Sequence, residues 1–336
     1  MTQFTIPSTE YDSKRPGEAI ALPPRPFVVN DRQLVVAMVR STLTVNSGRA
    51  SRKYLSAIVW PTLQFFLDWD RAPDLRASDA FLRVIRDFSA TTRTGELAQG
   101  VSYAYWKWQR GYSWIADFGP WAAGLRPRYV GKKSPDFVML NLATNDLAVM
   151  EAKGTGSCCH KKKMGEALRQ CRSAAAHPAF SRGFGCVLTL DSRNPTGRGN
   201  LHIRDPESPA EFSDKLRYYV FCRSYASWFD LVGDDDMANW CRQGLRVAMR
   251  NVNTRMKMVQ RRQNSNDQLR AITAAALGFA PDRTSFEIDR VVMEALTDFQ
   301  AFKQTDWRIL LQRTQELPED GQQLIRFPDG TVIIER

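Results

Sequence analysis

Apolar positions along this chain follow a helical spacing towards both ends and a strand-like spacing in the middle. The first residues are polar and rich in proline, so we expect an extended N-terminal arm over residues 1–29. Behind Asn30, a good helix N-cap residue, apolar side chains recur three or four positions apart. They are Leu34, Val35, Met38 and Val39. Further helices are expected over 51–68 and from Ser78 onwards, within an N-terminal helical region over 30–93.

The central part of the chain mixes short strand-like runs with helical stripes. A helix is expected over 95–110, capped by Thr94 and ended by Gly111. The elements expected after it are strands at 113–118, 136–142 and 147–153, a helix at 161–176 and a strand at 185–190. This pattern, over residues 94–208, predicts a protein of the α/β (α+β) class.

The last third of the sequence returns to a helical pattern, over residues 209–336. The candidate helices are 210–231, 235–260, 266–278, 284–303 and 306–316. Near the end, two apolar runs flank Pro328-Asp329-Gly330, which is typical of a β-hairpin turn. We therefore expect a C-terminal helical region that finishes in a β-hairpin.

Composition adds a charge that the apolar pattern does not show. The formal net charge is +11 at pH 7, and 43% of the residues are hydrophobic, enough to bury a sizeable core. A basic protein attracts polyanions, of which DNA and RNA are the commonest. Ordinary surface charge would give the same total, so the net charge alone leaves both interpretations open.

Neither a secretory signal nor a membrane span is expected. Residues 1–14 carry Glu10 and Asp12 and lack an apolar run. The apolar stretch at 54–69 is interrupted by Pro61. The six cysteines form no C-x-x-C pair, which argues against a zinc ribbon or a thioredoxin-like motif. These features predict a cytoplasmic protein with reduced thiols and no membrane partner.

Three ionisable residues stand on neighbouring strand-like runs of the central region. Asp136 opens the second run, and Glu151 and Lys153 end the third. Because side chains alternate along a strand, Glu151 and Lys153 point to the same face. A four-residue turn at 143–146 would set Asp136 opposite Lys153 and diagonally across from Glu151.

This cluster is an unusual choice for packing and has a chemical interpretation. Two carboxylates supply the oxygen ligands that Mg²⁺ or Mn²⁺ prefers. Such a metal polarises a phosphodiester and lowers the pKa of a bound water, which a lysine can orient. The alternative is an exposed strand face on which Asp136 or Glu151 simply pairs with Lys153.

Pro135-Asp136, fourteen further residues and then Glu151-Ala152-Lys153 resemble the PD-(D/E)-x-K signature of restriction-endonuclease-like nucleases. That superfamily shares an α-β-β-β-α-β core with the signature on its second and third strands. The elements expected over about 94–191 follow the same order, with helical extensions on both sides. The resemblance implies that Asp136 and Glu151 bind metal and that Lys153 positions the attacking water.

A second pattern extends the resemblance. Many members carry a glutamate on the first core helix, in a pattern like G-E…G-Y, and this chain has Gly95-Glu96 and Gly111-Tyr112. The resemblance implies that Glu96 is a third carboxylate at the metal site. An acidic residue in the first turn of a helix also complements the helix dipole, so the pattern leaves both roles open.

Basic residues cluster at three places that would suit a nucleic-acid backbone. The first two are Lys132 and Lys133, before Asp136, and Lys161, Lys162 and Lys163, at the start of the next helix. The third lies between Arg242 and Arg262 and contains no acidic residue; its other members are Arg246, Arg250, Arg255, Lys257 and Arg261. A solvated loop explains the first two clusters equally well, whereas a solvated helix usually contains acidic residues too.

Other clusters are better explained without function. Cys158-Cys159-His160 lacks a second ligand pair at zinc-finger spacing. Gly154-Thr155-Gly156 fits a plain loop into the next helix better than a phosphate contact. The aromatic residues between Tyr103 and Trp114 are expected to pack against the sheet rather than to stack on bases.

The sequence therefore favours a Mg²⁺- or Mn²⁺-dependent nuclease acting on DNA, with RNA as the other candidate substrate. Analogy with enzymes of this size indicates bacterial or phage defence, recombination or mobile-element processing. One alternative is a nucleic-acid-binding or assembly protein whose cleavage is lost or depends on a protein partner or homodimer. Another is a scaffold whose charged residues only pair with each other.

Overall fold

A computed structural model describes the greater part of the chain. The described residues are 2–12, 20–21, 23–42, 59, 63–79, 81, 87–125, 134–156, 160–175, 183–190, 198–204, 213–232, 234–243, 284–313 and 323–335.

Within these residues, eight strands form one mixed sheet. They are β1 (Gln3–Asp12), β2 (Ile20–Ala21), β3 (Arg25–Asn30), β4 (Trp114–Asp117), β5 (Phe137–Asn141), β6 (Asp146–Thr155), β7 (Gly183–Thr189) and β8 (Asn200–Arg204). The strand order is β2-β1-β8-β7-β6-β5-β4, and β3 pairs with β1. The β1–β8 and β6–β7 pairs are parallel. A smaller antiparallel sheet has the order β10-β11-β9 and consists of β9 (Thr284–Ile288), β10 (Gln323–Arg326) and β11 (Thr331–Glu335).

The helices of the described residues lie before, within and after the large sheet. They are α1 (Asp31–Thr42), α2 (Asp87–Ala104), α3 (Phe118–Leu125), α4 (His160–Ala175), α5 (Asp214–Val232), α6 (Asp235–Arg242), α7 (Arg290–Thr297), α8 (Phe299–Gln304) and α9 (Arg308–Arg313). A π-helical turn, Tyr105–Gln109, continues α2.

The chain is a mixed α/β protein, as the sequence predicts. Its central elements run in the order α2, β4, β5, β6, α4 and β7, with α3 inserted between β4 and β5. The predicted C-terminal hairpin is confirmed by the antiparallel pairing of β10 with β11.

Asn30 caps α1, as predicted. Its Oδ1 accepts a hydrogen bond from Gln33 N at 2.7 Å, and Asn30 N donates to Gln33 Oε1 at 3.0 Å. This reciprocal capping box satisfies two backbone donors at the start of the helix. The predicted apolar stripe of α1, from Leu34 to Val39, is buried.

The helices α2 and α4 pack on opposite faces of the sheet. A Cβ atom on Gly185 would stand 2.7 Å from Met164 Sδ, so Gly185 faces α4. The next residue, Cys186, accepts a hydrogen bond at 3.1 Å from Trp106 Nε1, in the π-helical turn after α2. Successive side chains of a strand alternate between faces, so the two helices sandwich the centre of the sheet.

The residues expected to form an extended N-terminal arm are built into the sheet. β1 pairs with β3 on one side and with β8 on the other, where Ser8 stands beside Leu201. Phe4 and Ile6 are fully buried. The sequence pattern does not indicate the β1–β8 pairing, because β8 lies almost two hundred residues away from β1.

Two helix predictions are wrong in part. α2 begins at Asp87 and runs through Thr94, so Thr94 lies inside the helix and is not its N-cap. Residues 284–288, expected to be helical, form β9 because they pair along the whole length of β11. In both places the neighbouring elements, rather than the local sequence, decide the conformation.

The tip of the C-terminal hairpin is buried against the helices. Asp329 Oδ2 accepts hydrogen bonds from Arg40 Nη1 at 3.1 Å, Lys107 Nζ at 2.5 Å and Trp228 Nε1 at 2.9 Å. Burial favours the neutral carboxyl group, but the positive charges of Lys107 and Arg40 outweigh it and lower the pKa of Asp329 to about 2. The hairpin thus supplies the counter-charge for the buried Arg40 and for Lys107, whose own pKa burial lowers to about 7.

Candidate metal centre

The β5–β6 hairpin brings the signature residues together. Phe137 pairs with Met150, and the next position of this register sets Asp136 opposite Glu151. The expectation that Asp136 stands opposite Lys153 is therefore wrong by two residues.

The turn of the hairpin explains the difference. Asp146 pairs with Asn141, so the turn consists of residues 142–145 rather than 143–146. Asn145 adopts a positive φ of 56°, which asparagine tolerates better than most residues. Because side chains alternate with a period of two, a shift of two residues keeps every side chain on its expected face.

Asp136 lies in the bend before β5 and is held by surrounding groups. Its Oδ2 accepts a hydrogen bond from Ala152 N at 3.0 Å, and its backbone oxygen accepts one from Phe118 N at 2.9 Å. The side chain of Gln99, on α2, also hydrogen-bonds the carboxyl group. Burial raises the pKa of Asp136, although the Ala152 amide and the charge of Lys153 oppose the rise.

Glu151 is buried and incompletely satisfied. It pairs with Gly185, so its side chain points to the α4 face, and it is 1% exposed. Lys153 Nζ donates to Oε1, whereas Oε2 has no hydrogen-bond partner among the residues that the structure describes. Burial raises the pKa of Glu151 to about 8, and the negative charge of Asp136 adds to the rise.

This arrangement fits a divalent cation. The carboxyl groups of Asp136 and Glu151 stand opposite each other in the hairpin, and the buried Glu151 Oε2 has no hydrogen-bond partner among the described residues. Mg²⁺ is commonly held by one or two carboxylates together with several waters. The described residues contain no group of three or more His, Cys, Asp or Glu side chains able to hold a metal ion. The ligand set would therefore be Asp136 and Glu151, completed by a backbone carbonyl and waters.

Gly154, directly after Lys153, is a point of close contact with α2. A Cβ atom at this position would stand 2.2 Å from the backbone oxygen of Thr94. Only glycine lets the helix lie this close to the strand. The expected plain loop over residues 154–156 is thus wrong for Gly154 and Thr155, which are part of β6.

Among the described residues, no hydrogen bond or ion pair joins Glu96 to Asp136 or Glu151. Glu96 lies on α2 and forms an ion pair with Arg93 at 2.7 Å. Its predicted role as a metal ligand stays a prediction. The α2 side chain that does reach the site is Gln99, one helical turn further on, which the sequence reasoning missed. Gln99 lies three residues after Glu96, and residues three apart share a helix face. This spacing is the sequence signal that could indicate Gln99.

Asp117 is a third carboxyl group, and the charge of Asp136 acts on it. It ends β4 and pairs with Phe137, the residue after Asp136. Burial raises the pKa of Asp117 to about 7, and the charge of Asp136 adds to the rise. No sequence motif singles it out, because the proximity arises from the β4–β5 pairing.

The predicted nucleic-acid-binding residues are only partly described. Lys161 and Lys162 are exposed at the start of α4, and Lys163 Nζ lies 3.2 Å from Glu166 Oε2. The others lie outside the described residues, as do Cys158 and Cys159. They are Lys132, Lys133, Arg246, Arg250, Arg255, Lys257, Arg261 and Arg262.

No family model, curated protein or solved structure matches this chain. In the part of the chain that the structure describes, no helix is long and apolar enough to cross a membrane.

Proposed function

We propose that this protein is a metal-dependent nuclease that hydrolyses phosphodiester bonds in DNA, on a restriction-endonuclease-like core. The observation that carries the proposal is the Asp136–Glu151 pair, in which the buried Glu151 Oε2 lacks a hydrogen-bond partner among the described residues. The order of a helix, three strands, a helix and a strand around this pair supports the choice of core.

Each side chain of the site has a distinct task. Asp136 and Glu151 hold the cation, and Gln99 and the Ala152 amide fix the Asp136 carboxylate. When bound, Mg²⁺ or Mn²⁺ polarises the phosphodiester and lowers the pKa of a water. The Lys153 side chain is 27% exposed, so it contacts both the solvent and the buried Glu151. Its ammonium group orients the attacking water and offsets negative charge in the transition state.

The charge of the protein supports a nucleic-acid substrate. The net charge is +11, and two exposed lysines, Lys161 and Lys162, begin the helix that covers the Glu151 face. Cationic side chains bind a phosphate backbone largely by releasing its counterions. A task in bacterial or phage defence, recombination or mobile-element processing would suit such an enzyme, with RNA as the alternative substrate.

Plasmid cleavage tests the proposal. Supercoiled DNA and a labelled RNA are incubated with the protein in Mg²⁺, in Mn²⁺ and in EDTA. We expect metal-dependent cleavage of DNA, and losses of at least about a hundredfold in Asp136→Ala and Lys153→Ala. Asp146→Ala, at the other end of the hairpin, is the matched control and should cleave normally. Equal activity in all four proteins would refute the site assignment.

Calorimetric titration with Mn²⁺ separates metal binding from catalysis. We expect a site in the wild type that Glu151→Gln abolishes. A wild type without this site would favour the scaffold interpretation. A protein that binds DNA in a salt-dependent way but cleaves nothing would instead select the nucleic-acid-binding or assembly alternative.

A further inference from the structure

Two of the three histidines of this chain stack on each other, away from the candidate metal centre. The rings of His160, on α4, and His202, on β8, are 4.1 Å apart and only 4° from parallel. The hydroxyl group of Tyr11, on β1, lies 2.9 Å from His202 Nδ1 and 3.4 Å from His160 Nε2. His202 is 7% exposed, whereas Tyr11 and His160 are partly exposed. A ligand from solvent would therefore meet Tyr11 and His160.

The hydrogen-bond partners fix where the protons lie. Thr189 Oγ1 donates its single proton to Asn200 O, so it can only accept from His202 Nε2, 3.4 Å away. His202 Nδ1 is then a bare acceptor, and the Tyr11 hydroxyl donates to it. The Tyr11 oxygen in turn accepts from His160 Nε2. This series of hydrogen bonds orients His160. Its Nδ1 is the ring nitrogen that makes no hydrogen bond within the cluster.

The close stacking allows one of the two imidazole rings to carry a positive charge but disfavours a positive charge on both. Two imidazolium rings 4.1 Å apart would repel each other strongly in a partly buried place. Burial, and next the charge of His160, lower the pKa of His202 to about 4, so the buried ring stays neutral at pH 7. The parallel rings also argue against metal binding, since in-plane lone pairs of parallel rings do not converge on one ion.

The surroundings of the cluster are basic. Lys161 and Lys162 follow His160 and are exposed. Of the nearby acidic residues that the structure describes, Glu166 pairs with Lys163, and Glu10 accepts hydrogen bonds from Tyr105 and Arg110. An anion at His160 would therefore meet cations rather than free carboxylates.

The cluster lies on the same sheet face as the candidate metal centre. Lys153 pairs with Val187, and Val187 pairs with His202. Two strand spacings, about 10 Å, therefore separate the backbones of Lys153 and His202. A strand of nucleic acid is long enough to contact both places at once.

We propose that Tyr11, His160, Lys161 and Lys162 form a second substrate subsite, which binds a phosphate group of the nucleic acid away from the bond that is cut. His160 donates to the phosphate from Nδ1, while Tyr11 and His202 hold its ring. The assignment of this phosphate to a nucleic-acid strand rests on the proposed function.

Binding measured without metal tests the subsite. The anisotropy of a fluorescent single-stranded oligonucleotide is followed in EDTA, where no cleavage occurs. We expect about tenfold weaker binding in His160→Gln, because a charge-assisted hydrogen bond is lost. A smaller loss is expected in Tyr11→Phe, which keeps the ring but no longer orients His160. Lys161→Gln should lower the slope of log affinity against log salt by about one.

Lys303→Gln is the matched control for Lys161→Gln, because it removes an exposed lysine on α8, in another part of the fold. Its affinity and salt slope should stay close to those of the wild type. NMR of the imidazole groups gives a direct measurement, since the chain has three histidines. Inorganic phosphate and the oligonucleotide should shift the His160 resonances and protonate its Nδ1.

The outcomes separate this inference from the proposed function. Unchanged affinity in His160→Gln, or no response of the His160 resonances, overturns the subsite even if Mg²⁺-dependent cleavage is found. A wild type that binds no oligonucleotide overturns it as well. Binding that depends on His160 in a protein without cleavage keeps the subsite and refutes the nuclease.

Discussion

Glu151 is buried, and its Oε2 has no hydrogen-bond partner among the described residues. A substitution separates its effect on stability from its effect on metal binding. A pKa of about 8 leaves Glu151 mostly protonated in the folded protein at pH 7, whereas it is ionised in the unfolded chain, so the proton uptake opposes folding when no metal is added. We expect Glu151→Gln to raise the free energy of unfolding in EDTA by about 2 kcal/mol, measured by urea denaturation. The same variant should gain no stability from Mn²⁺, whereas the wild type should gain it. A less stable variant in EDTA would show that the Lys153 contact dominates.

Gly154 gives a second prediction for single residues. Gly154→Ala forces a methyl group into the backbone oxygen of Thr94, so α2 must move away from β6. We expect a loss of about 2–3 kcal/mol in the free energy of unfolding and a loss of Mn²⁺ binding. Gly165→Ala is the matched control: nothing lies within 4 Å of its added Cβ, and alanine is the better helix former. Equal stability of the two variants would contradict the close contact.

His202 gives the protein a dependence on acid. Its pKa is near 6.5 in the unfolded chain and is lowered to about 4 in the folded protein by burial and then by the charge of His160. At pH values between these two pKa values, the unfolded chain binds more protons than the folded protein does. The contribution of His202 is therefore complete above pH 6.5 and is lost as the pH falls towards 4. The loss is on the order of 3 kcal/mol.

Urea denaturation at pH 7.5 and pH 5 measures this dependence. His202→Asn keeps an acceptor near the position of Nδ1 but cannot be protonated, so its stability should fall less between the two pH values. An identical fall in both proteins would assign the acid sensitivity to other groups.

Among the elements, the C-terminal hairpin has the largest expected effect on stability. Asp329→Asn leaves Arg40 and Lys107 buried without a negative partner, because both lie at 0% side-chain exposure. Breaking a buried ion pair in this way costs about 3–5 kcal/mol. Thermal unfolding followed by circular dichroism measures the loss. Asp306→Asn, in an exposed pair with Arg308, should melt like the wild type.

The elements also show which predictions a local pattern supports. β5, β6, α4 and β7 begin and end close to the expected residues, because their apolar spacing is regular and their neighbours are near in sequence. The expected β5–β6 turn lies one residue too late in the sequence, yet the signature residues keep their expected face. β1 and β9 were missed as strands, because the pairing partners that hold them are distant or follow much later in the chain.

The same distinction applies to the sites. Asp136, Glu151 and Lys153 were found from one hairpin, because sixteen residues or fewer separate them. Gln99 comes from another element, so no local spacing connects it with Asp136. The Tyr11, His160 and His202 cluster joins residues up to 191 positions apart, and it was missed for the same reason.

For the whole molecule, we expect the N-terminal strand to be necessary for folding. Ile6 is fully buried on β1, whereas Val28, on the paired strand β3, is 54% exposed. We expect Ile6→Asp to abolish cooperative unfolding and Mn²⁺ binding, because it buries a charge without a partner. Val28→Asp should leave both unchanged. A folded Ile6→Asp protein would show that β1 can leave the sheet without loss of the rest.

The buried carboxylate of the C-terminal hairpin also governs when the chain can fold during its synthesis. Arg40 precedes Asp329 by 289 residues and Lys107 precedes it by 222. At roughly 5–20 residues per second, the ribosome adds Asp329 on the order of half a minute after Arg40. Throughout that interval neither cation can enter its final position at low cost. The nascent chain therefore carries a nearly complete sheet whose two buried cations gain their counter-charge only once Asp329 has been added.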